Sequence, residues 1–317
     1  MRSIRSALVL SLAFVLVLAG PASVSGQDGE SEWIRISVGD MTFDALAAGP
    51  ADGELVLLLH GFPQAGFAYR EQLRALGEAG FRAVAPNQRG YSPDARPEGV
   101  SAYGMTSLVG DVLGMASALG YERFHLVGHD WGAAVAWVVA GSVPARVISL
   151  VALSTPHVSA FGEALADPDS EQAQASSYFA TFRAEGSERR FLANGARQFR
   201  DILNQFAMEP EDTDRYLDLL GTEAALGAAL NWYRASATAT NSSSASQSPM
   251  IVQVPTMYVW STADVAFARE TAEASADFVA GPYRFEVMEG VSHWIAEEAP
   301  DELNRLLLEH LAEWRTR

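Results

Sequence analysis

Short, continuous runs of apolar residues recur along this chain, separated by segments whose apolar residues follow a helical period. A run that is apolar at every position is typical of a strand buried on both faces of a parallel sheet. The intervening segments 68–79, 106–119, 133–140, 266–279 and 300–314 predict helices. Strands are predicted at 54–60, 81–86, 124–127, 147–153, 256–260 and 283–288. Strands that alternate with helices in this way indicate an α/β protein with a mostly parallel central sheet flanked by helices.

Two further regions depart from this alternation. Near the amino terminus, 32–37 and 41–47 predict a pair of strands joined by a turn. From 157 to 248 no buried-strand run occurs, and the pattern predicts helices at 171–184, 189–205, 210–220 and 222–236. We interpret 157–248 as a helical cap over the carboxyl edge of the sheet, ending in a flexible polar segment at 241–248. The core then consists of two parts, 27–156 and 249–317.

Residues 1–26 have the pattern of a secretory signal peptide. A basic start with Arg2 and Arg5 precedes an apolar run from Ala7 to Leu18 and a small-residue exit. The apolar run is short for a membrane span, although an uncleaved amino-terminal anchor is the alternative. We therefore expect a secreted or periplasmic protein that is free of the membrane after cleavage. Because the chain has no cysteine, the exported protein must be held together by packing, without disulfides.

Composition and charge restrict the partners. With 49% hydrophobic residues in 317, the chain can form one large domain or a core with an inserted subdomain. A net charge of −17 argues against nucleic acid and against anionic membrane surfaces as partners. It favours neutral or cationic small substrates. The sequence does not indicate an oligomeric state.

A candidate nucleophile lies between one strand and the next helix, in the stretch Gly128-His129-Asp130-Trp131-Gly132. Two glycines flanking a polar residue at a strand-to-helix turn are typical of a nucleophile elbow, which usually carries serine. Aspartate at this place is already an anion at neutral pH. It can attack an electrophilic saturated carbon, as in an epoxide or a carbon–halogen bond, and form an alkyl ester that water then hydrolyses. The alternative is an ordinary glycine-rich turn with a helix-capping aspartate.

Two more polar residues follow strands, where open α/β sheets place their active sites. Asp264 comes after the strand 256–260, and His293 comes after the strand 283–288. The order nucleophile, acid, histidine is that of α/β-hydrolases. We therefore expect His293 to activate water and Asp264 to orient it, although Asp264 could instead cap a helix.

Further residues complete the predicted site. His60-Gly61-Phe62 follows the central strand, where the second oxyanion donor of this fold lies, so the backbone N–H groups of Phe62 and Trp131 are expected to face the same oxygen. His157 opens the cap and is a candidate for contact with the substrate.

These pieces together resemble the epoxide hydrolase branch of the α/β-hydrolase superfamily over about residues 32–314. The resemblance rests on HGFP at 60–63, NQRGYS at 87–92, GHDWG at 128–132, NWYR at 231–234, Asp264 and SHW at 292–294. HGFP with GHDWG is specific for that branch and the related dehalogenases, and NWYR favours epoxides.

The resemblance implies that Tyr233, in NWYR, donates a proton to the epoxide oxygen; the alternative is that it packs the cap. It also implies a second cap tyrosine a few residues ahead of a Tyr-Phe pair. That pair is similar to Tyr178-Phe179, but the upstream place, near Ala175, holds no tyrosine. Either Tyr178 replaces it or Tyr233 acts alone.

Two other functions are consistent with the same residues. A haloalkane or haloacid dehalogenase could use the indole N–H of Trp131 to hold halide. However, haloacetate enzymes are similar to each other in having arginine after the nucleophile, and haloalkane enzymes often have asparagine at the place of Phe62. A non-catalytic exported protein is the third possibility, which the complete set of Asp130, Asp264 and His293 argues against. We expect a small apolar epoxide or halogenated substrate, no cofactor and no metal.

Overall fold

The computed structural model describes residues 31–204, 209–240 and 249–316. The signal peptide expected at 1–26 and the polar segment expected at 241–248 lie outside these residues, so both stay predictions. In the described part of the chain, no helix combines the length and the apolar character that crossing a membrane requires.

An eight-stranded sheet forms the centre of the molecule, in the order β1-β2-β4-β3-β5-β6-β7-β8. The pairs that involve β2 are antiparallel, and all other neighbours are parallel. The strands are β1 Glu32–Val38, β2 Met41–Ala48, β3 Leu55–Leu59, β4 Arg82–Pro86, β5 Phe124–His129, β6 Val147–Leu153, β7 Thr256–Ser261 and β8 Tyr283–Met288. Every residue of β3, β5 and β6 is buried, which explains why these strands are predominantly apolar.

Helices cover both faces of the sheet. These core helices are α1 Arg70–Glu78, α2 Met105–Ala118, α3 Trp131–Ser142, α10 Arg269–Ala274, α11 Ile295–Glu298 and α12 Pro300–Glu313. Alternate residues of β3 enter two separate hydrophobic clusters: Leu57 packs with residues of α2 and α3, and Leu58 packs with residues of α1 and α12. This alternation follows from the two-residue period of a strand. The expected mostly parallel α/β sheet flanked by helices is therefore confirmed.

Between β6 and β7 the described chain is helical and contains no strand. Its helices are α4 Val158–Ala166, α5 Glu171–Ala175, α6 Phe179–Arg183, α7 Ser187–Asn204, α8 Pro210–Leu220 and α9 Glu223–Thr240. The insertion is joined to the core by polar contacts. The Trp232 indole N–H donates to the Arg89 carbonyl at 2.8 Å, and Arg70 pairs with Asp212 at 2.7 Å. We refer to residues 158–240 as the cap.

The cap differs from its sequence prediction in two places. The single helix expected over 171–184 is α5, a 3₁₀ turn at Ser176–Tyr178, and α6. The helix expected over 189–205 leaves helical geometry at 193–196, where Asn194 and Gly195 have positive φ. Serine competes with helical backbone hydrogen bonds, and Asn-Gly favours the left-handed region, so both interruptions have a local cause. α4 and α11 were not predicted.

Candidate active site

Asp130 lies on a tight turn between β5 and α3, with φ of 51° and ψ of −121°. A non-glycine residue rarely adopts a positive φ, and such strain clusters at functional sites. The turn also requires glycine on both sides. A Cβ added to Gly128 would lie 2.4 Å from the Gly132 carbonyl oxygen, and one added to Gly132 would lie 2.0 Å from that of Leu59. The expected strand–turn–helix geometry is present.

The two carboxylate oxygens of Asp130 have different surroundings. Oδ1 accepts a hydrogen bond of 2.9 Å from the backbone N–H of Phe62, and the backbone N–H of Trp131 also bonds to the carboxylate. The close approach of this backbone segment to Asp130 depends on Gly61, because a Cβ there would lie 2.3 Å from the Cβ of Asp130. Oδ2 faces His293, whose Nε2 lies 3.7 Å away. Phe62 and Trp131 thus lie where the sequence predicted, and Oδ2 is the oxygen that faces the imidazole.

His293 is held by Asp264 on the side away from Asp130. Its Nδ1 lies 3.0 Å from Asp264 Oδ2. The other oxygen of Asp264 accepts hydrogen bonds from the backbone N–H groups of Ala266, at 2.7 Å, and Phe267, at 3.3 Å. Asp264 therefore makes the contacts of both roles considered from the sequence. One oxygen accepts backbone N–H groups, as a capping residue does, and the other orients the histidine.

The pKa values of the pair reflect burial and mutual attraction. Burial lowers the pKa of His293, but the charges of Asp264 and Asp130 and the hydrogen bond to Asp264 outweigh it, so the pKa lies above its usual value. Burial raises the pKa of Asp130 against the opposing effects of His293 and the two backbone N–H groups. A buried carboxylate and a buried imidazole thus face each other across a gap that is longer than a hydrogen bond.

A chain of buried side chains contacts the backbone carbonyl of His293. His129 Nε2 lies 2.8 Å from the His293 carbonyl oxygen, and His129 Nδ1 lies 2.9 Å from the Gln64 side-chain amide. Gln64 in turn contacts Glu297 at 2.5 Å, and Glu297 accepts a hydrogen bond of 2.6 Å from Tyr216 on α8. The chain connects the cap to the backbone of the residue that carries the imidazole.

Protonation along this chain follows from its acceptors. A carbonyl oxygen only accepts, so His129 Nε2 must carry hydrogen. Burial lowers the pKa of His129 well below its usual value, so Nδ1 of the neutral ring is an acceptor. The amide of Gln64 can be turned to donate to it, because its oxygen and nitrogen are assigned by their partners. The amide oxygen then faces Glu297, whose pKa burial raises against the opposing effects of Tyr216, Gln64 and the nearby Arg70.

Above Asp130 is a cavity of about 290 Å³, lined by cap and core residues. Tyr233 and Tyr178 both line it, together with Phe62 and His293. Burial, followed by the charge of Asp130, raises the pKa of each tyrosine well above its usual value, so both remain protonated near neutral pH. Ala175 also lines the cavity, at the place where the resemblance implies a tyrosine.

A second cavity, of about 270 Å³, lies on another side of the same carboxylate. Asp130 lines both cavities. The second is bordered mainly by apolar side chains, among them Trp131, Phe161 and Phe179, and by one cation, Arg183. No pattern in the sequence indicated this cavity, because its walls come from several helices that are far apart along the chain.

His157 is not part of either cavity, which corrects its expected role as a substrate contact. Its ring stacks on Phe278 with centroids 4.9 Å apart, and its Nδ1 accepts the backbone N–H of Ser159 at 3.1 Å. The neighbours Pro156 and Val158 line the second cavity instead. His157 is buried and is the N-cap residue of α4, a helix that the sequence pattern did not predict.

In residues 31–204, 209–240 and 249–316, no cluster of three or more His, Asp or Glu side chains is arranged to hold a metal ion. The expectation that the protein needs neither metal nor cofactor stays a prediction.

Comparison with known proteins agrees with this architecture. A family model described as alpha/beta hydrolase fold matches residues 54–300. The AB hydrolase superfamily protein YfhM of Bacillus subtilis is 32% identical over 281 residues, covering 87% of this chain and 96% of that protein. Epoxide hydrolase A of Mycobacterium tuberculosis is 32% identical over 298 residues, covering 83% and 92%.

A solved structure is also similar. It is described as novel epoxide hydrolases of the alpha/beta hydrolases superfamily in metagenomes from hot environments, and it superposes with a TM-score of 0.77 at 30% identity, covering 88% of this chain and 98% of that one. Fold and comparisons together define a hydrolase enzyme. The chain belongs to the α/β-hydrolase fold family.

Proposed function

We propose that this protein hydrolyses epoxides to vicinal diols through an alkyl ester on Asp130. The observation that carries the proposal is the arrangement around one carboxylate. Oδ1 of Asp130 is held by backbone N–H groups, Oδ2 faces His293, and the buried Tyr233 and partly buried Tyr178 line the cavity above. Relatives named epoxide hydrolases support the substrate class. Conversion of a panel of small epoxides, alongside haloalkanes, is the direct test.

In the first step Oδ2 of Asp130 attacks one epoxide carbon, and the bond from that carbon to the epoxide oxygen breaks. The oxygen takes the hydroxyl proton of Tyr233, and Tyr178 donates a hydrogen bond to the same oxygen. Water returns the proton to the tyrosinate. A tyrosine suits this role because its high pKa keeps the proton available until negative charge develops on the oxygen.

In the second step water attacks the carboxyl carbon of the ester while His293 Nε2 takes its proton. The negative charge that forms on Oδ1 is stabilised by the N–H groups of Phe62 and Trp131, which already bond to the carboxylate. Collapse of the intermediate releases the diol oxygen, which receives the proton from His293. The carboxylic acid left on Asp130 then gives its proton to the hydroxide that formed when water reprotonated Tyr233, which restores the carboxylate. Asp264 stabilises the imidazolium in between.

The surroundings of Trp131 agree with this function. Its indole stands edge-on to Tyr233 with centroids 5.1 Å apart, and its side chain opposes the rise in the pKa of that tyrosine. The indole thus packs against the side chain that supplies the proton in the proposed mechanism.

Tyr233→Phe should lower kcat/KM for epoxides by about 10²-fold, because alkylation loses its proton donor. Tyr178→Phe should have a smaller effect, since Tyr178 assists the same oxygen. Steady-state kinetics with a styrene-type epoxide measures both, and Tyr121→Phe, on the core outside both cavities, is the matched control. Equal rates for Tyr233→Phe and the unaltered protein would remove Tyr233 from the mechanism.

The two steps should respond differently to pH. Ester hydrolysis needs neutral His293, so it falls as the pH decreases through the raised pKa of that imidazole. Alkylation needs only anionic Asp130, whose pKa is raised from a much lower starting value of 3.8. We therefore expect the alkyl-enzyme to accumulate in mildly acidic solution, measured by rapid acid quench and intact mass. Accumulation at alkaline pH instead would contradict the role of His293.

We also propose that the protein is exported and that residues 1–26 are removed. The composition of that segment supports the proposal. Amino-terminal sequencing of the protein recovered outside the cytoplasm tests it: a start near residue 27 is expected, and an intact Met1 would contradict it.

A further inference from the structure

Arg183 is a cation in the wall of the second cavity, which shares Asp130 with the first. It lies at the end of α6, and its side chain is partly buried. Apart from Asp130, the rest of the wall is uncharged and largely apolar, so a cation there is chemically distinctive. A cavity with apolar walls and a few placed polar groups is the usual form of a small-molecule site.

The contacts of Arg183 leave most of its donors available. Nε donates to the Tyr233 carbonyl oxygen at 3.0 Å, and Nη2 lies 3.1 Å from the Ser236 hydroxyl. The guanidinium stacks over the Phe179 ring, 5.0 Å from its centroid. A guanidinium has five N–H donors, and these two bonds use two of them.

No carboxylate lies within 4.0 Å of Arg183 among the residues that the structure describes. The segments 205–208 and 241–248 contain no acidic residue that could provide one. By contrast, the buried Arg89 and the partly buried Arg234 pair with Asp111 and Glu188 at 2.6 Å.

Burial lowers the pKa of Arg183, and the groups that oppose this effect are Tyr178 and Tyr233. Among the residues that the structure describes, the cation is therefore partly desolvated without an anion that compensates it, which is unfavourable unless a ligand supplies the charge. A carboxylate matches the planar fork of a guanidinium and forms two parallel hydrogen bonds with it.

We propose that Arg183 binds the carboxylate of the substrate, so that the preferred substrates are epoxides whose substituent carries a carboxylate on an apolar linker. The linker lies along Phe161, Phe179 and Trp131, and the oxirane reaches Asp130 at the other end of the cavity. This assignment rests on the proposed epoxide hydrolysis. It refines the expectation from net charge, which concerns the outer surface, because Arg183 makes its own part of the cavity wall positive.

The test compares pairs of ω-epoxy carboxylic acids with their primary amides, which have the same skeleton without the charge. The unaltered protein should prefer the acid in kcat/KM by about 10-fold or more, and Arg183→Gln should lower kcat/KM for the acid by about 10- to 100-fold. The amide should change by less than about 3-fold, and Arg183→Lys should keep part of the preference. Arg197→Gln, an exposed cap arginine, is the matched control.

Equal losses for acid and amide in Arg183→Gln would overturn the proposal, because they would indicate a role only in supporting Tyr233. Absence of an acid preference in the unaltered protein would do the same. Turnover of the neutral amides tests epoxide hydrolysis independently. If no epoxide reacts, calorimetric binding of medium-chain alkanoates decides the subsite: binding that Arg183→Gln abolishes supports it, and no binding overturns it.

Discussion

Asp130→Ala is expected to abolish the conversion of a styrene-type epoxide to its diol, with a loss of about 10⁴-fold or more in kcat/KM. In the proposed mechanism this carboxylate forms the bond to the substrate, and no neighbour can replace it. Asp264, the nearest candidate, already contacts His293 with one oxygen and two backbone N–H groups with the other. Chromatographic quantitation of the diol measures the loss.

The variant should remain folded, because the Asp130 carboxylate makes its hydrogen bonds within the site and not to the sheet. Circular dichroism and thermal unfolding check this, and Asp277→Asn, at an exposed aspartate, is the matched control. Diol formation at an undiminished rate by folded Asp130→Ala would exclude the ester mechanism.

His293→Gln is expected to stop the reaction after the alkyl ester has formed. Alkylation should proceed at nearly its normal rate, whereas hydrolysis of the ester should slow by about 10²- to 10⁴-fold, since the general base is lost. The result is a burst of substrate consumption equal to one molecule per active site, followed by very slow turnover. Rapid-quench measurement of substrate consumption resolves the two phases.

Asp264→Asn provides a graded comparison, because it keeps the imidazole but weakens the interaction that raises its pKa and orients it. It should show the same burst with faster subsequent turnover than His293→Gln. A uniform slowing of both phases in His293→Gln would place the histidine in the alkylation step and refute the division of roles between Asp130 and His293.

The core of the fold was readable from the sequence because burial leaves a simple pattern. β6 and β8 have the bounds that the sequence predicted, and β3 differs by one residue at each end. The cap was less readable. Its helices bury only part of their surface, and local features such as Ser176 and Asn194 decide where they break, so a continuous helical period was misleading.

The nucleophile elbow could be predicted from the sequence, because the residues that its tight turn requires and the candidate nucleophile lie within five adjacent positions. Gly128, Asp130 and Gly132 each occupy a position that few other residues could fill. The supporting chain was not readable. Gln64 and Glu297 are 233 residues apart in sequence, and their contact depends on how α11 packs against the loop after β3. Arg183 was missed for the same reason, because only folding brings it into one cavity wall with Trp131.

The structure also shows what stands in place of the second cap tyrosine that the resemblance implies. Ala175 lines the first cavity where a tyrosine was implied, and Tyr178, three residues later, lines the same cavity. The interruption between α5 and α6 contains Tyr178. A change in helix geometry therefore accompanies the change of residue, which is consistent with Tyr178 as the second donor in the proposed mechanism.

The most direct test of the ester mechanism is peptide mass spectrometry of His293→Gln after mixing with a styrene-type epoxide. We predict that the peptide containing Asp130 gains the mass of one epoxide molecule and that fragmentation locates the addition at that residue. An unmodified Asp130 peptide, or an adduct on another residue, would contradict the mechanism. An adduct formed only from a haloalkane would keep Asp130 as the nucleophile but replace epoxide hydrolysis with dehalogenation.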